Sequence, residues 1–133
     1  MVDALKLSER PVHLGLGASA EVQPAFTGDM SWYEAYGARH DGDGPEGRLV
    51  AQHTFSESWG MWEIHPHGAE VVLCTDGEMT LIQETEDGAQ RAIPLKAGDY
   101  AVNDAGVWHT ADVENEATAL FITAGLDTQH RQR

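Results

Sequence analysis

The sequence predicts an all-β protein built as a closed or sandwiched antiparallel barrel with an N-terminal arm. Three observations carry that prediction. From Leu49 to Thr123 the chain reads as eight short runs that are apolar or alternate between apolar and polar residues. Tight-turn pairs such as Asp76-Gly77 and Asp87-Gly88 separate several of them. No stretch between these runs has the period of an amphipathic helix, so the strands are joined by turns and not by crossover helices.

In chain order, residues 1–48 are mixed in character and are expected to form an arm and loop packing on the barrel. Ser31-Trp32-Tyr33-Glu34 fits a capping box and predicts a short helix through about Ala38, although its aromatic content also suits a strand. His40-Asp41-Gly42-Asp43-Gly44-Pro45-Glu46-Gly47 reads as a loop. Its acidic spacing does not match an EF-hand, which favours a solvated turn over a calcium site. Gly15-Leu16-Gly17-Ala18-Ser19-Ala20 has the form of a dinucleotide fingerprint. That motif needs a strand before it and a helix after it within a βαβ unit, so nucleotide binding is not expected here.

The barrel proper spans 49–124. Its strands are read at Leu49–Phe55, Met61–His65, Val71–Thr75, Glu78–Glu84, Arg91–Leu95, Tyr100–Asn103, Trp108–Val113 and Ala117–Thr123. Asp76-Gly77 is read as a turn ending one strand, Asp87-Gly88 as a hairpin, and Lys96-Ala97-Gly98-Asp99 as a further turn. The polar segment 125–133 is expected to leave the core.

Composition limits function. The 133 residues carry a formal net charge of -14, which argues against nucleic acid or an anionic membrane surface as partner. The one cysteine, Cys74, has no internal partner, so a reducing, cytoplasmic location is expected. The first residues lack the apolar core of a signal peptide, and no apolar run has the length to span a bilayer. Cys74 has inward strand parity and reads as a buried, inert thiol. No Gly-x-Ser-x-Gly nucleophile elbow occurs, and Ser56 and Ser58 read as structural.

Two stretches carry metal-ligand chemistry. The first is Gly60-x4-His65-x-His67-x2-Glu70-x6-Gly77, and the second is Gly98-x5-Asp104-x-Gly106-x2-His109. Residues two apart on a strand share a face, so His65 and His67 are expected to point together. His109 arrives from a distant strand. Imidazoles with one carboxylate and open positions suit a catalytic first-row ion. Met61 and Glu63 share parity with His65, whereas Trp62 and Ile64 face the opposite side, as Trp108 does relative to His109. These outer aromatics are expected to pack against the arm or a second subunit. Glu63 and Tyr100 are candidate acid–base residues. His53 has cavity-facing parity and is a candidate substrate contact or extra ligand. His13, His40 and His130 are expected at the surface.

The pair of motifs resembles the cupin superfamily, whose patterns are roughly G-x5-H-x-H-x3/4-E-x6-G and G-x5-P-x-G-x2-H-x3-N. Two gaps here are one residue shorter, between Gly60 and His65 and between His67 and Glu70. Asp104 replaces the proline and Val113 the asparagine. The resemblance implies a one-barrel double-stranded β-helix, or jelly roll. It also implies one divalent metal ion (Fe, Mn, Ni or Zn) held by His65, His67, Glu70 and His109, a small-molecule ligand or substrate, and a homodimer. Its activities range from dioxygenases and isomerases to non-catalytic binding or sensing domains and structural barrels, and all three readings stay open on sequence.

Overall fold

In the computed structural model, which describes residues 3–133, strand β1 (Val12–Gly15) turns back into β2 (Ser19–Val22). The two pair antiparallel with Gly15 opposite Ser19, so the glycine-rich segment forms a hairpin with a single 3-10 turn at Leu16–Ala18 and opens no α-helix. Helix α1 (Met30–His40) follows. Its N-cap is Asp29 and not Ser31: the Asp29 carboxylate accepts the Trp32 N–H at 3.2 Å and the Ser31 hydroxyl at 2.6 Å. The expected loop is wound as a 3-10 segment over Asp41–Glu46, broken by Gly44 at φ 68°.

The remaining strands are β3 (Arg48–Phe55), β4 (Met61–Ile64), β5 (Glu70–Glu84), β6 (Gln90–Lys96), β7 (Tyr100–Asn103), β8 (His109–Asp112), β9 (Ala117–Thr123) and β10 (Gln129–Gln132). They form two facing sheets that share β5. Its first half lies between β7 and β9, and β9 continues through β3 and β1 to β2. Its second half lies between β6 and β8, and β8 continues through β4 to β10.

One sequence expectation is corrected here. Asp76-Gly77 does not end a strand. Cys74 pairs with Ala119 and Asp76 with Thr118, so Thr75 is an extra residue, and the resulting bulge bends β5 from one sheet into the other. Gly77 adopts φ 72°, and a Cβ there would lie 2.1 Å from the Glu116 carbonyl oxygen. The tail contributes no buried residue, but it stays on the barrel. β10 pairs with β4, and the Arg131 guanidinium sits 5.1 Å from the Trp62 ring and 4.5 Å from the Trp108 ring. Arg133 donates to Asp112 Oδ1 at 2.6 Å and to the Trp59 carbonyl at 3.0 Å. A polar strand can close a sheet edge because its backbone supplies the pairing and its arginines lie flat on indole rings. The outer tryptophans are therefore covered by the tail itself.

The apolar core fills one end of the barrel, where Cys74, Leu81, Leu95, Ala111 and Ala119 are buried. A smaller cluster of Trp32, Leu49 and Ala51, with Phe26 and Tyr36 against it, docks α1 onto β3. His13 and His40 are not surface residues. His13 is buried between the Tyr36 hydroxyl at 2.6 Å and Asp43 Oδ2 at 2.7 Å, and its ring stacks on His40 at 3.8 Å.

Candidate metal centre

At the end of the barrel opposite the core, strand register places polar residues in two facing rows. Glu70 opens β5 and lies directly between Asn103 on β7 and Thr123 on β9. Directly paired residues share a sheet face, so both side chains reach the carboxylate. Asn103 Nδ2 donates to Oε1 at 3.1 Å and Thr123 Oγ1 to Oε2 at 2.6 Å. Across the interior, His109 on β8 lies between Glu63 on β4 and Gln83 on β5. Gln83 Nε2 donates to Asn103 Oδ1 at 2.8 Å and ties the two rows together. His65, one residue beyond β4, completes the group.

The ligand atoms converge. His65 Nε2 is 3.0 Å from Glu63 Oε1 and 3.2 Å from Glu70 Oε2, and His109 Nε2 is 3.2 Å from Glu70 Oε1. The two imidazole rings are 5.2 Å apart. Glu63, His65, Glu70 and His109 each offer an atom, all within 4.8 Å of one another. Ligands about 2.1 Å from one ion are separated by about 3.0 Å in an octahedron and about 3.4 Å in a tetrahedron. The observed contacts of 3.0 and 3.2 Å suit such a shell.

The outer nitrogens of the rings set their orientation. Thr128 Oγ1 donates to the Gly125 carbonyl at 2.9 Å and so accepts from His65 Nδ1 at 2.7 Å. His109 Nδ1 donates to the Val107 carbonyl at 3.2 Å. Each ring thereby turns Nε2 inward, the arrangement that prepares imidazole for a cation. Both Nε2 atoms are buried and have no aligned hydrogen-bond partner, although they stand at ion-pair distance from the carboxylates.

Electrostatics point the same way. Burial pushes the Glu70 carboxyl up, but the His109 and His65 imidazoles outweigh it and hold Glu70 well below the usual carboxylate range. Burial likewise opposes ionisation of Glu63, and contacts with His130 and His65 bring it down to about 2. Burial lowers the pKa of His65, but Glu63 and Glu70 reverse this and raise it to about 9. Two ionised carboxylates in a desolvated pocket require positive charge beside them, which a proton or a cation at the same Nε2 supplies.

The structure brings together His65, Glu70 and His109 and adds Glu63, whose inward parity was legible in β4. It does not bring in His67, which is 46% exposed and bonds Asp127 at 2.8 Å. β4 ends at Ile64 and Pro66 follows, so two-residue periodicity no longer applies at His67. Tyr100 stands on the outer face, 66% exposed, because Asn103 takes the inward parity of β7. His53 faces inward but packs on Phe26 and Phe121 and lies outside the ligand group. His130 lies at the surface, as expected, and stands opposite Glu63 on β10, with Nε2 3.3 Å from Glu63 Oε2. Sequence reasoning missed Asn103, Thr123, Gln83 and Thr128, whose only signal is register. A second group, His13, His40 and Asp43, is also compact enough for an ion, but His13 has both nitrogens engaged and its ring stacked.

Among the described residues, no helix is long and apolar enough to cross a membrane. The family model described as a cupin domain matches residues 50–125, a span that contains all four clustered residues. Similar solved structures include an oxalate oxidase at 18% identity and TM-score 0.53, covering 61% of this chain and 44% of that one. Peruvianin-I, a cysteine peptidase from Thevetia peruviana latex, also has 18% identity and TM-score 0.53, covering 64% of this chain and 56% of that one. A cupin-2 domain containing protein from Shewanella frigidimarina has 21% identity and TM-score 0.48, covering 57% of this chain and 69% of its own. This chain spans about half the length of the first two proteins, and at these identities the likeness is one of fold. No curated protein matches the sequence.

Proposed function

This chain belongs to the cupin family, and from that premise we propose that it is a metal-dependent enzyme acting on a small oxygen-bearing metabolite. The observation that carries this reading is the convergence of the buried Nε2 atoms of His65 and His109, neither with an aligned hydrogen bond, on the carboxylates of Glu70 and Glu63. His65, His109 and Glu70 would hold one divalent ion. Iron, manganese, nickel and zinc all accept this donor set, and two imidazoles with one carboxylate suit ferrous oxygenases in particular. A bound ion supplies a Lewis acid for a carbonyl or enolate oxygen and, if it is iron, a site for dioxygen, hence dioxygenase or isomerase chemistry.

The protein's own residues have separable tasks. Asn103 and Thr123 fix both oxygens of Glu70, and Thr128 and the Val107 carbonyl fix the imidazoles. Glu63 is the base, or a fourth ligand. It is ionised, 28% exposed and the most accessible member of the cluster. A proton taken at Glu63 Oε1 can leave through Oε2 to His130 Nε2, 3.3 Å away and 34% exposed, which leads outward.

Metal analysis of protein purified without chelator or affinity tag tests the centre. His65→Ala and His109→Ala are each expected to lower bound metal at least about tenfold, whereas His67→Ala retains it. Equal metal content in wild type, His65→Ala and His109→Ala would overturn the assignment. Turnover of an oxygen-bearing substrate by metal-loaded protein supports an enzyme. Tight ligand retention without turnover assigns the domain to binding instead.

A further inference from the structure

The outer face of the sheet that runs from β2 to β7 carries an unbroken row of β-branched aliphatic side chains. Direct register pairs align Val22, Val12, Val50, Ile122, Val71 and Val102 across six neighbouring strands. Directly paired residues share a sheet face, so the row forms one ridge. Beside it runs a second row of Gln52, Leu120, Leu73 and Tyr100. On its other side Ala20, Leu14 and Arg48 form a third. Alternation along the strands turns Leu49, Ala51, Val72 and Phe121 to the opposite face, and helix α1 docks there against Leu49 and Ala51.

This face meets solvent. Leu14, Val22, Tyr100 and Val102 are exposed, and the central members of the row are half-buried. The other sheet differs, because β10 lays Arg131 over its Trp62 and Trp108 rings. Six strands about 4.8 Å apart and three rows about 7 Å apart make a patch of roughly 25 by 20 Å, or about 500 Å². An apolar patch of that extent marks a contact site. Two such patches together bury about 1,000 Å², the area at which specific interfaces begin. Charge sets the face apart as well. The chain has 22 Asp and Glu, yet none of the side chains in the three rows is a carboxylate, and Arg48 at the margin is their one charge.

We propose that a second copy of this chain docks on this face, sheet against sheet, to form a two-fold dimer. A two-fold contact needs a surface that fits itself. The central row meets that need: it runs Val, Val, Val, Ile, Val, Val, so a two-fold axis along the strands between β3 and β9 sets every branched side chain of the row against another. Sheet faces of this kind stack about 10 Å apart with their strands nearly aligned. Charge favours the same occupant. Two chains of net charge -14 repel wherever carboxylates meet, and this contact brings none together. The inference is independent of the metal-centre reading.

The test is sedimentation of the full-length protein from about 1 to about 100 micromolar, which is expected to show a reversible monomer–dimer equilibrium. Val50→Lys and Ile122→Lys, at the middle of the row, are each expected to raise the dissociation constant at least about tenfold. Ala92→Lys makes the same change of charge at an exposed position of β6 in the other sheet, and is expected to shift the constant less than about twofold. A second measurement needs no variant. In a mixture of carbon-13-labelled and unlabelled protein, nuclear Overhauser contacts between copies are expected at the methyl groups of Val50, Val71 and Ile122. A chain that stays monomeric across the series overturns the proposal, including the case in which a different protein covers the face. So does a dimer whose constant is the same in Val50→Lys, Ile122→Lys and Ala92→Lys, or whose contacts between copies fall on other methyl groups.

Discussion

Glu70 lies between Asn103 and Thr123, and each donates to a different carboxylate oxygen. A ligand held at both oxygens spends little orientational freedom when a cation binds. Thr123→Val keeps the side chain's shape and removes the 2.6 Å bond to Oε2. It is expected to weaken zinc affinity about tenfold in a chelator-competition titration while leaving the fold intact. At this scale the sequence was informative where chemistry is local. His65, Glu70 and His109 were legible from residue type and spacing, and Glu63 from its parity with His65. His67 was misplaced because Pro66 interrupts the strand, and Thr123 and Asn103 carried no local signal at all.

Strand β5 shows how one glycine can be read in two ways. Asp76-Gly77 has turn composition, yet the strand passes through it, because Gly77 combines φ 72° with a close approach to the Glu116 carbonyl. Gly88 has a similar φ of 82°, sits in the β5–β6 hairpin and has open space around it. Gly77→Ala is therefore expected to destabilise the protein by at least about 2 kcal/mol in denaturant unfolding. Gly88→Ala should cost only about 1 kcal/mol, the conformational part alone. Equal costs would show that the backbone contact at Gly77 contributes nothing. β10 is the complementary case: a polar sequence became a strand because an open edge on β4 and two indole rings awaited it.

For the whole molecule, the matched family region ends short of the elements that complete this barrel. β1 pairs with β3, Trp32 covers Leu49 and Ala51, and Phe26 reaches His53 in the interior. We propose that arm and barrel unfold as one unit. Removal of residues 1–47 is expected to expose the Leu49 and Ala51 face. It should then raise binding of an apolar dye and lower the melting temperature by more than about 5 °C. An unchanged melting temperature would show that the barrel is independent of its arm. The net charge of -14 disfavours polyanions as partners, while a cation bound in the cluster would invert the field locally.

The sequence by itself determined what depends on neighbours along the chain. It specified the strand-forming runs, the Asp87-Gly88 turn, the supply of imidazoles and carboxylates, and the two motifs by which the family is recognisable. Only the tertiary structure decided which residues stand opposite one another. That put Glu63 and not His67 in the cluster, gave Glu70 its two donors, and left the Trp59 indole without one. Such outcomes depend on ladder register between strands distant in the chain, where a slip of one residue moves every side chain to the other face.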